Sequence, residues 1–386
     1  MVSFSEFNFK GKTALVRVDF NVPIDIDLKI KDYTKISISL PTINKIIKDE
    51  GRVILMSHLG RPKGEKNYRF SLKPIFEYLS KIYGGEVLFS EINDDVKNLK
   101  GKIILLENLR FFKEEENSDV EFAKKLSKLG DVYVNDAFAS IHRGHSSLIQ
   151  LPKLFKEKFL GFSLQNEINK ISIIENNTKP PLTVIVGGKK VFDKILPLKE
   201  FLEKAENILL GGVVANTFLK AKGGSIGMSD YEEESINLAK DIIEICNNKN
   251  VNLIFPIDFV VIESDLESRE IWPSVVLAEN ISDNQKIMDI GPETKALFTD
   301  FIEDTKSVFW SGPMGYIENE AFIDGTNYLL NALHDFTKKG GFSVIGGGET
   351  GYLANKLQKN VGYISSGGSA LLEYIAKKKQ LPAVWW

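Results

Sequence analysis

The stretch RVILMSHLGRPKG (residues 52–64) joins an apolar run to a cationic turn, and this junction decides the fold. Residues 53–56 are all apolar, so neither face of the expected strand is polar, which is typical of strands covered on both faces in parallel sheets. The turn that follows carries His58, Arg61 and Lys63. Ligands bind beyond the carboxyl ends of strands in doubly wound sheets. The charge therefore predicts an anion site at this strand end.

Apolar runs of the same kind recur along the chain and alternate with amphipathic helical stretches. The other runs are TALVRVDF (13–20), EVLFS (86–90), KIILLEN (102–108), DVYVND (131–136), LTVIVGG (182–188), NILLGG (207–212), NLIFPIDFVVI (252–262), KIMDIG (286–291), SVFWSGP (307–313) and FSVIGGG (342–348). Helical patterns include SDVEFAKKLSKLG (118–130), with Ser118 as the expected cap, and YEEESINLAKDIIEICNNKN (231–250). This alternation predicts an α/β fold built from doubly wound, Rossmann-like parallel sheets.

Length and composition limit the possible function classes. The chain has 386 residues, 43% of them hydrophobic, and a formal net charge of −3. This length favours two or three domains, and the slightly acidic balance disfavours a nucleic-acid-binding protein. No run approaches the ~20 apolar residues of a membrane span. The single cysteine, Cys246, is expected in a helix core and fits a reducing compartment. We therefore expect a cytoplasmic protein without nucleic-acid or membrane partners.

A polar, proline-containing break lies near the middle of the chain. Residues 151–181 hold a helical pattern followed by Asn-Asn-Thr-Lys-Pro-Pro. We interpret residues 161–178 as a connecting helix and linker between two α/β halves, residues 1–160 and 179–369. The last residues, 370–386, end in two tryptophans. Tryptophan is rarely left exposed, so this tail is expected to pack back on a domain.

Polar and cationic side chains follow the strands of the first half. They are Asp19, Asn21, His58, Arg61, Asn108, Arg110, Asp136, His142, Arg143 and His145. A single arginine is ordinarily a solvated surface residue, but here arginines follow three of the expected strands. Guanidinium groups bind carboxylate and phosphate as two-pronged donors. The repetition therefore predicts a site for a small polyanion.

Glycines follow the strands of the second half. They are Gly187, Gly188, Gly211, Gly212, Gly291, Gly312, Gly346, Gly347, Gly348, Gly367 and Gly368. Each pair has a plain explanation as a tight turn, but together they predict a nucleotide site, because glycine lets the backbone approach a ligand. A following helix N-terminus favours phosphate. Lys190, Lys194, Glu318 and Glu349 stand close to these glycines and supply cations and carboxylates.

An anion site on one half and a nucleotide site on the other indicate phosphoryl transfer across a cleft. That reaction requires positioning and charge neutralisation more than a covalent nucleophile. It also requires exclusion of water, so we expect two domains that face a cleft and close about a hinge helix.

Two short motifs resemble other nucleotide-binding motifs and offer alternatives to this interpretation. GKT (11–13) lacks the leading glycine of a phosphate-binding P-loop, since residue 6 is a glutamate. GGGETG (346–351) fits G-x-G-x-x-G and leaves an NAD-dependent Rossmann oxidoreductase open as an alternative. The acid that could serve a ribose, Glu373, lies inside a helical run rather than at the end of a second strand, which weakens that interpretation.

Taken together, several stretches resemble those of phosphoglycerate kinases, in the same order and over nearly the whole chain. They are VRVDFNVP (16–23), MSHLGRPKG (56–64), ENLRF (107–111), DVYVNDAF with HRGHSS (131–147), VGGKKVFDKI (186–195), DIGPET (289–294), GPMGYIE (312–318) and GGGET (346–350). The resemblance implies reversible phosphoryl transfer between 1,3-bisphosphoglycerate and ADP, giving 3-phosphoglycerate and ATP with Mg²⁺. It also implies a monomer.

The resemblance further implies site residues for each half. Residues 1–160 would be the phosphoglycerate-binding domain, with 370–386 returning to it, and residues 179–369 the nucleotide-binding domain. The phosphoglycerate would be held by Asp19, Phe20, Asn21, Lys35, His58, Leu59, Gly60, Arg61, Arg110 and Arg143. The nucleotide would be held by Gly187, Gly188, Lys190, Lys194, Gly211, Gly212, Glu318, Gly347, Gly348, Glu349 and Thr350. Catalytic roles would fall to Lys35, Lys190, Gly348 and Ser369, and the metal to Glu349.

The chain departs from the family pattern at functional positions. Lys35 stands where the family usually has arginine, Lys189 replaces an alanine, Ser311 an asparagine, Glu349 an aspartate and Ser369 a glycine. Lysine keeps the charge of arginine but loses its two-pronged geometry. These departures leave a second hypothesis open: a catalytically weakened relative that binds the anion and the nucleotide.

Overall fold

The computed structural model describes residues 3–263, 272–365, 367 and 371. The chain divides into two units between Lys170 and Ile171. This division falls inside the helix Phe162–Asn177, which the sequence predicts as the connection. Apart from Leu371, the predicted tail of residues 370–386 lies outside the described residues.

In the described part of the first unit, six parallel strands form one sheet in the order β3-β4-β2-β1-β5-β6. The strands are β1 (Thr13–Arg17), β2 (Arg52–Met56), β3 (Val87–Ser90), β4 (Ile103–Leu106), β5 (Val132–Asn135) and β6 (Lys158–Leu160). The helices are α1 (Thr34–Ser37), α2 (Leu40–Lys48), α3 (Lys73–Tyr83), α4 (Lys113–Glu116), α5 (Val120–Ser127), α6 (Ser146–Ile149) and α7 (Phe162–Asn177).

The first sheet is covered on both faces, as the apolar runs predict. Val53 and Leu55 pack into one core with Val16, on one side of the sheet. Ile54 packs with Leu15 into a second core on the other side. Because successive side chains of a strand point to opposite faces, a continuous apolar run is required to fill both cores.

In the described part of the second unit, six parallel strands follow the order β15-β14-β13-β7-β8-β9. The strands are β7 (Leu182–Val186), β8 (Asn207–Leu210), β9 (Asn252–Ile254), β13 (Ser307–Ser311), β14 (Phe342–Gly346) and β15 (Tyr363–Ser365). The helices are α8 (Val191–Phe201), α9 (Gly212–Lys222), α10 (Ile236–Lys249), α11 (Pro292–Glu303), α12 (Asp324–Lys338) and α13 (Gly348–Lys356). Ile185, Trp310 and Ile345 pack together in its core.

The second unit also contains an antiparallel sheet that the sequence analysis did not predict. Its strands β10 (Asp258–Ile262), β11 (Ser274–Leu277) and β12 (Lys286–Ile290) pair in the order β11-β10-β12. The expected single strand over 252–262 is therefore wrong, since it divides into β9 and β10. Pro256 lies at the division, and proline has no N–H to donate to a ladder.

The structure bears on two predictions about helices, the cap of α5 and the burial of Cys246. The cap of α5 is Asp119, whose Oδ1 accepts a hydrogen bond from Phe122 N at 2.7 Å. The expected cap at Ser118 is wrong, because that residue lies before the cap with a φ of 57°. Cys246 is 1% exposed in α10, as predicted, and burial raises the pKa of its thiol to about 11.

Candidate active site

Asp19 and Lys35 form an ion pair beyond the carboxyl end of β1, with Lys35 Nζ 2.8 Å from Asp19 Oδ2. Burial opposes ionisation of this carboxyl, but the Lys35 charge and a hydrogen bond from Asn21 N outweigh it, so the pKa of Asp19 is lowered. The Asp19 carboxyl is therefore ionised at neutral pH. An ammonium group has three donors, so Lys35 keeps hydrogens for a further acceptor.

Asn21 connects the turn after β1 to the turn after β2. Its Oδ1 accepts a hydrogen bond from Gly60 N at 2.9 Å. Gly60 has a φ of 60°, and a Cβ there would overlap the ring of Phe70, so glycine is required at this position. Phe20 and Leu59 have buried side chains; Phe20 N donates to Ser57 Oγ at 2.9 Å and Phe20 O accepts from Val22 N at 2.9 Å, so its main chain is used within the fold.

Arg110 follows β4 in a short 3₁₀ turn (Leu109–Phe111) and is 2% exposed. Its Nη1 donates to Gly60 O at 2.7 Å, and its Nε lies 3.3 Å from the Glu116 carboxylate. Burial, followed by the charge of Arg143, lowers the pKa of Arg110 to about 10. Among the described residues Nη2 has no hydrogen-bond partner. Buried donors are normally paired, so this prong of the guanidinium is left for a ligand.

Four cations act on His58, and three of them, Arg110, Lys35 and Arg143, are predicted site residues. Burial first, and then nearby positive charge, lowers the pKa of His58 well below its usual value. The cations that contribute are Arg17, Arg110, Lys35 and Arg143. Because Coulomb effects weaken with distance, their common effect places them at one edge of the sheet. Arg61 is exposed and Arg143 half-buried, as ligand-facing side chains would be.

Two other strand-end residues serve the fold instead. Asn108 is fully buried, and its Nδ2 donates to Leu59 O at 2.7 Å and to Phe70 O at 2.9 Å. Asp136 is 2% exposed, and its Oδ1 accepts a hydrogen bond from Leu164 N in the first turn of α7 at 3.1 Å. Burial raises the pKa of Asp136 to about 7. Both polar groups are used within the protein.

A small cavity of about 70 Å³ lies in the second unit, beyond the carboxyl ends of β7, β8 and β13. Four of the predicted nucleotide residues line it: Gly188, Gly212, Glu318 and Glu349. Asn216, Asp230, Lys286, Met314 and Tyr316 also line it, and the sequence analysis did not single them out.

Gly187 and Gly211 lie behind the cavity and let the segment 312–318 pack closely. A Cβ on Gly187 would overlap Pro313 O, and one on Gly211 would lie 2.5 Å from Met314 Sδ. Gly212 N donates to Met314 O at 2.9 Å. These glycines therefore shape the wall that a ligand would touch.

Lys194 is folded back onto main-chain oxygens at the end of β7. Its Nζ donates to Gly187 O and to Ser311 O, the latter at 3.4 Å. Burial lowers the pKa of Lys194 to about 8; the Glu349 carboxylate opposes this shift and the Lys190 ammonium adds to it. Lys190, exposed just before α8, therefore shares one electrostatic neighbourhood with Lys194 and Glu349.

The start of α13 presents main-chain donors. Gly347 has a φ of 129°, which favours glycine, and Gly348 is the exposed first residue of the helix. The first N–H groups of a helix have no partner within it and favour phosphate. Thr350 is fully buried, and its Oγ1 has no hydrogen-bond partner among the described residues. The predicted catalytic Ser369 lies outside the described residues.

Comparison with known proteins identifies the family. A protein-family model described as phosphoglycerate kinase matches residues 4–378 of this chain. This chain belongs to the phosphoglycerate kinase family. A cytosolic phosphoglycerate kinase of Triticum aestivum is 40% identical, over 99% of this chain and 96% of its own length. The solved phosphoglycerate kinase of Coxiella burnetii is 36% identical with a TM-score of 0.75, covering 99% of this chain and 97% of its own. That of Pyrococcus horikoshii is 30% identical with a TM-score of 0.81, covering 100% and 98%.

Lys189, which the family resemblance marks as a departure, contacts two residues near the cavity. Its Nζ lies 4.8 Å from the centre of the Tyr316 ring and 3.7 Å from Glu318 Oε1. Tyr316 and Glu318 both line the cavity. Lys189 therefore pairs with Glu318, the carboxylate that the family resemblance assigns to the ribose hydroxyls.

The main residue missed by sequence reasoning is Arg17. It lies at the end of β1, is fully buried, and contacts His58 through its guanidinium. A charged residue inside the apolar run TALVRVDF was the available signal. Its partner Ser147 is 130 residues away in the chain, and no local pattern reveals such a pairing.

Family membership decides against the dinucleotide alternative. The GGGETG stretch does follow a strand, β14, and opens a helix, α13, as both interpretations require. The acid on which the alternative depended, Glu373, lies outside the described residues.

Among the described residues, no helix is long and apolar enough to cross a membrane.

Proposed function

We propose that this protein catalyses the reversible transfer of a phosphoryl group between 1,3-bisphosphoglycerate and ADP, giving 3-phosphoglycerate and ATP. The observation that carries the proposal is that each unit holds one half of the required chemistry. The first unit gathers cations around His58 at the carboxyl edge of its sheet. The second has a cavity lined by glycines and carboxylates at the corresponding edge of its own sheet.

The phosphoglycerate site is proposed at the cationic edge. Arg61, Arg110 and Arg143 would bind phosphate as two-pronged donors. Lys35, held by Asp19, would bind the carboxylate end, where charge develops during transfer. Asp19 and Asn21 would accept from the substrate hydroxyl, and Phe20, Leu59 and Gly60 would complete the site.

The nucleotide site is proposed at the cavity of the second unit. Glu318 would accept hydrogen bonds from the ribose hydroxyls, with Gly187, Gly188, Gly211 and Gly212 forming the wall. Lys194, Gly347 and Thr350 would bind nucleotide phosphates. Lys190 and the N–H of Gly348 would stabilise the transferring group, as would the main chain near Ser369. Direct transfer requires the reacting atoms to meet at about 3–3.5 Å, so we propose that α7 acts as a hinge.

Glu349 is the residue that fits the Mg²⁺ expected in this family. It is exposed in the first turn of α13 and acts electrostatically on Lys194, so a carboxylate stands beside the proposed phosphate site. The described residues contain no cluster of three or more His, Cys, Asp or Glu able to hold a metal. Mg²⁺ commonly binds through one or two carboxylates plus substrate phosphates. A single glutamate therefore fits a metal that binds with the nucleotide and neutralises phosphate charge.

The test is an assay of ATP- and Mg²⁺-dependent phosphorylation of 3-phosphoglycerate by the purified full chain, with calorimetric binding of each substrate alongside. Turnover supports the proposal. Binding of both substrates without turnover would instead support the weakened, ligand-binding relative, which the substitutions at Lys35 and Glu349 favour. Absence of both activities would overturn the proposal.

We further propose a monomer that acts in the cytosol. The wheat relative is named as cytosolic, whereas an Arabidopsis thaliana relative, 40% identical, is named as chloroplastic. Light scattering from the purified protein and microscopy of a tagged chain would test these two statements separately.

A further inference from the structure

Arg17 lies directly behind His58 and has no exposed surface. Its Nη2 is 3.2 Å from His58 Nδ1. Its Nη1 donates to Val18 O at 2.5 Å, and its Nε donates to Ser147 Oγ at 3.0 Å. The guanidinium is therefore held by contacts on three of its nitrogens, with one of them aimed at the imidazole.

This contact determines where the His58 ring carries its proton. A guanidinium has donors only and is not deprotonated in proteins, whereas each imidazole nitrogen either donates or accepts. Arg17 must therefore donate, and Nδ1 must accept and carry no proton. The neutral ring then has its proton on Nε2. A doubly protonated ring would set an N–H of His58 against an N–H of Arg17.

Glu115 and Ser147 hold Arg17 in this orientation. Ser147 Oγ donates to Glu115 Oε1 at 2.6 Å, and Ser147 N donates to Oε2 at 2.9 Å. Since the hydroxyl proton of Ser147 is directed to Glu115, its oxygen is free to accept from Arg17. Glu115 is fully buried, and burial raises the pKa of its carboxyl, although the Arg17 charge and the hydrogen bonds from Ser147 oppose this shift. A directed chain of hydrogen bonds thus runs from α4 through α6 and β1 to His58.

Burial and four cations favour the neutral form of the His58 ring. Burial is the largest cause of its lowered pKa, and the cations follow: Arg17 from behind, then Arg110, Lys35 and Arg143. Among the described residues no group forms a hydrogen bond to Nε2, and His58 is 3% exposed. The remaining exposure leaves Nε2–H for a ligand.

We propose that Arg17 is a positioning residue that holds His58 as the neutral Nε2–H tautomer, so that His58 meets the anionic substrate as a hydrogen-bond donor and not as a charge. The identity of the anion as phosphoglycerate rests on the proposed function; the tautomer does not. Affinity contributed by His58 is then constant across neutral pH, unlike that of an ordinary histidine, whose charge changes there.

The decisive experiment is ¹⁵N NMR of the full chain with labelled histidine, without substrate. The chain has four histidines, and His58→Gln serves only to assign the signal. We expect an unprotonated Nδ1 and a protonated Nε2 with no titration between about pH 5.5 and 8.5. An Nδ1–H tautomer, or a ring that titrates near pH 6–7, overturns the proposal. This result is independent of catalytic activity, so failure of the proposed function would be seen separately.

Variants then test whether Arg17 is responsible. In Arg17→Met, which removes the donor, or in Ser147→Ala should the first variant not fold, we expect mixed tautomers at His58. The KM for 3-phosphoglycerate should rise about three- to tenfold with a smaller change in kcat. Arg52→Met is the matched control: this arginine donates to Gly101 O and Lys97 O at the opposite end of the sheet, and the His58 signal should not change. A rise in KM with an unaltered His58 spectrum would reduce Arg17 to a structural role and overturn the proposal.

Discussion

Lys35 Nζ and Asp19 Oδ2 are 2.8 Å apart, at a position where the family resemblance leads us to expect arginine. One ammonium must therefore both neutralise Asp19 and bind the substrate. An arginine could engage the carboxylate with one prong and keep the other for a ligand, because its donors form a rigid fork. We therefore expect the exchange of arginine for lysine at this position to affect the chemistry.

We predict that Lys35→Arg raises kcat more than it lowers KM. If Lys35 binds charge that develops in the transition state, the missing prong costs about 1.5–3 kcal/mol there, or roughly one to two decades of rate. Steady-state kinetics in both directions would measure the effect. Lys45→Arg is a matched control, since Lys45 also pairs with an aspartate, Asp49, but on the outer helix α2. An unchanged or lower kcat in Lys35→Arg would contradict the assigned role.

Lys189 is predicted to compete with the ribose for Glu318. The two side chains are 3.7 Å apart and both are largely exposed, so the pair is worth at most about 1 kcal/mol. Lys189→Ala should therefore strengthen adenosine binding by up to about fivefold. ADP should gain less, because its phosphates lose a nearby cation.

Isothermal titration with adenosine and with ADP would separate these two effects. Lys240→Ala, at an exposed position of α10, is the control and should alter neither affinity. Weaker adenosine binding in Lys189→Ala would show that Lys189 supports the nucleoside through the Tyr316 ring instead of blocking Glu318.

Most strands of the two parallel sheets could be predicted from the sequence, for a physical reason. Residues 53–56 must be apolar on both sides of the strand to fill two cores, and the same rule predicts the strands whose ends carry Asp19, His58, Arg110 and Gly188. The three-residue parallel strands β6 and β15 were not predicted, because they are too short to form a distinct apolar run. The antiparallel sheet β10–β12 was not predictable in this way, because its register depends on pairing across loops. The chain from Glu115 to Arg17 was missed for the same reason: its members meet only in the folded protein.

Asp289 is predicted to make the second unit less stable as pH rises. Burial is the main cause that raises its pKa to about 7, although Gly325 N and Ile290 N donate to it. In the unfolded chain an aspartate titrates near pH 3.9. The folded state therefore binds the extra proton between these values, so stability is fully present below about pH 4 and is lost as pH rises towards 7.

Hydrogen exchange at the Gly325 amide, followed from pH 4 to 8 and corrected for intrinsic exchange, would measure this effect. Asp289→Asn should flatten the pH dependence, because the amide has no carboxyl proton to lose as pH rises. Asp241→Asn on the exposed face of α10 should leave the pH dependence unchanged. A wild-type stability that rises from pH 4 to 7 at this amide would contradict the sign.

Gly312 and Gly223 allow backbone strain to be separated from steric overlap in the nucleotide site. Their φ angles are 90° and 91°, so an alanine at either position adds left-handed backbone strain of about 1–2 kcal/mol. Around Gly223 a Cβ meets nothing within 4 Å. At Gly312 it would overlap Gly187 O and Lys194 Nζ.

Gly312→Ala should therefore destabilise the protein by clearly more than Gly223→Ala and weaken ATP binding at least tenfold, by displacing Lys194. Urea unfolding and ATP titration of both variants measure this, and equal losses would mean that the Lys194 contact has no part in binding.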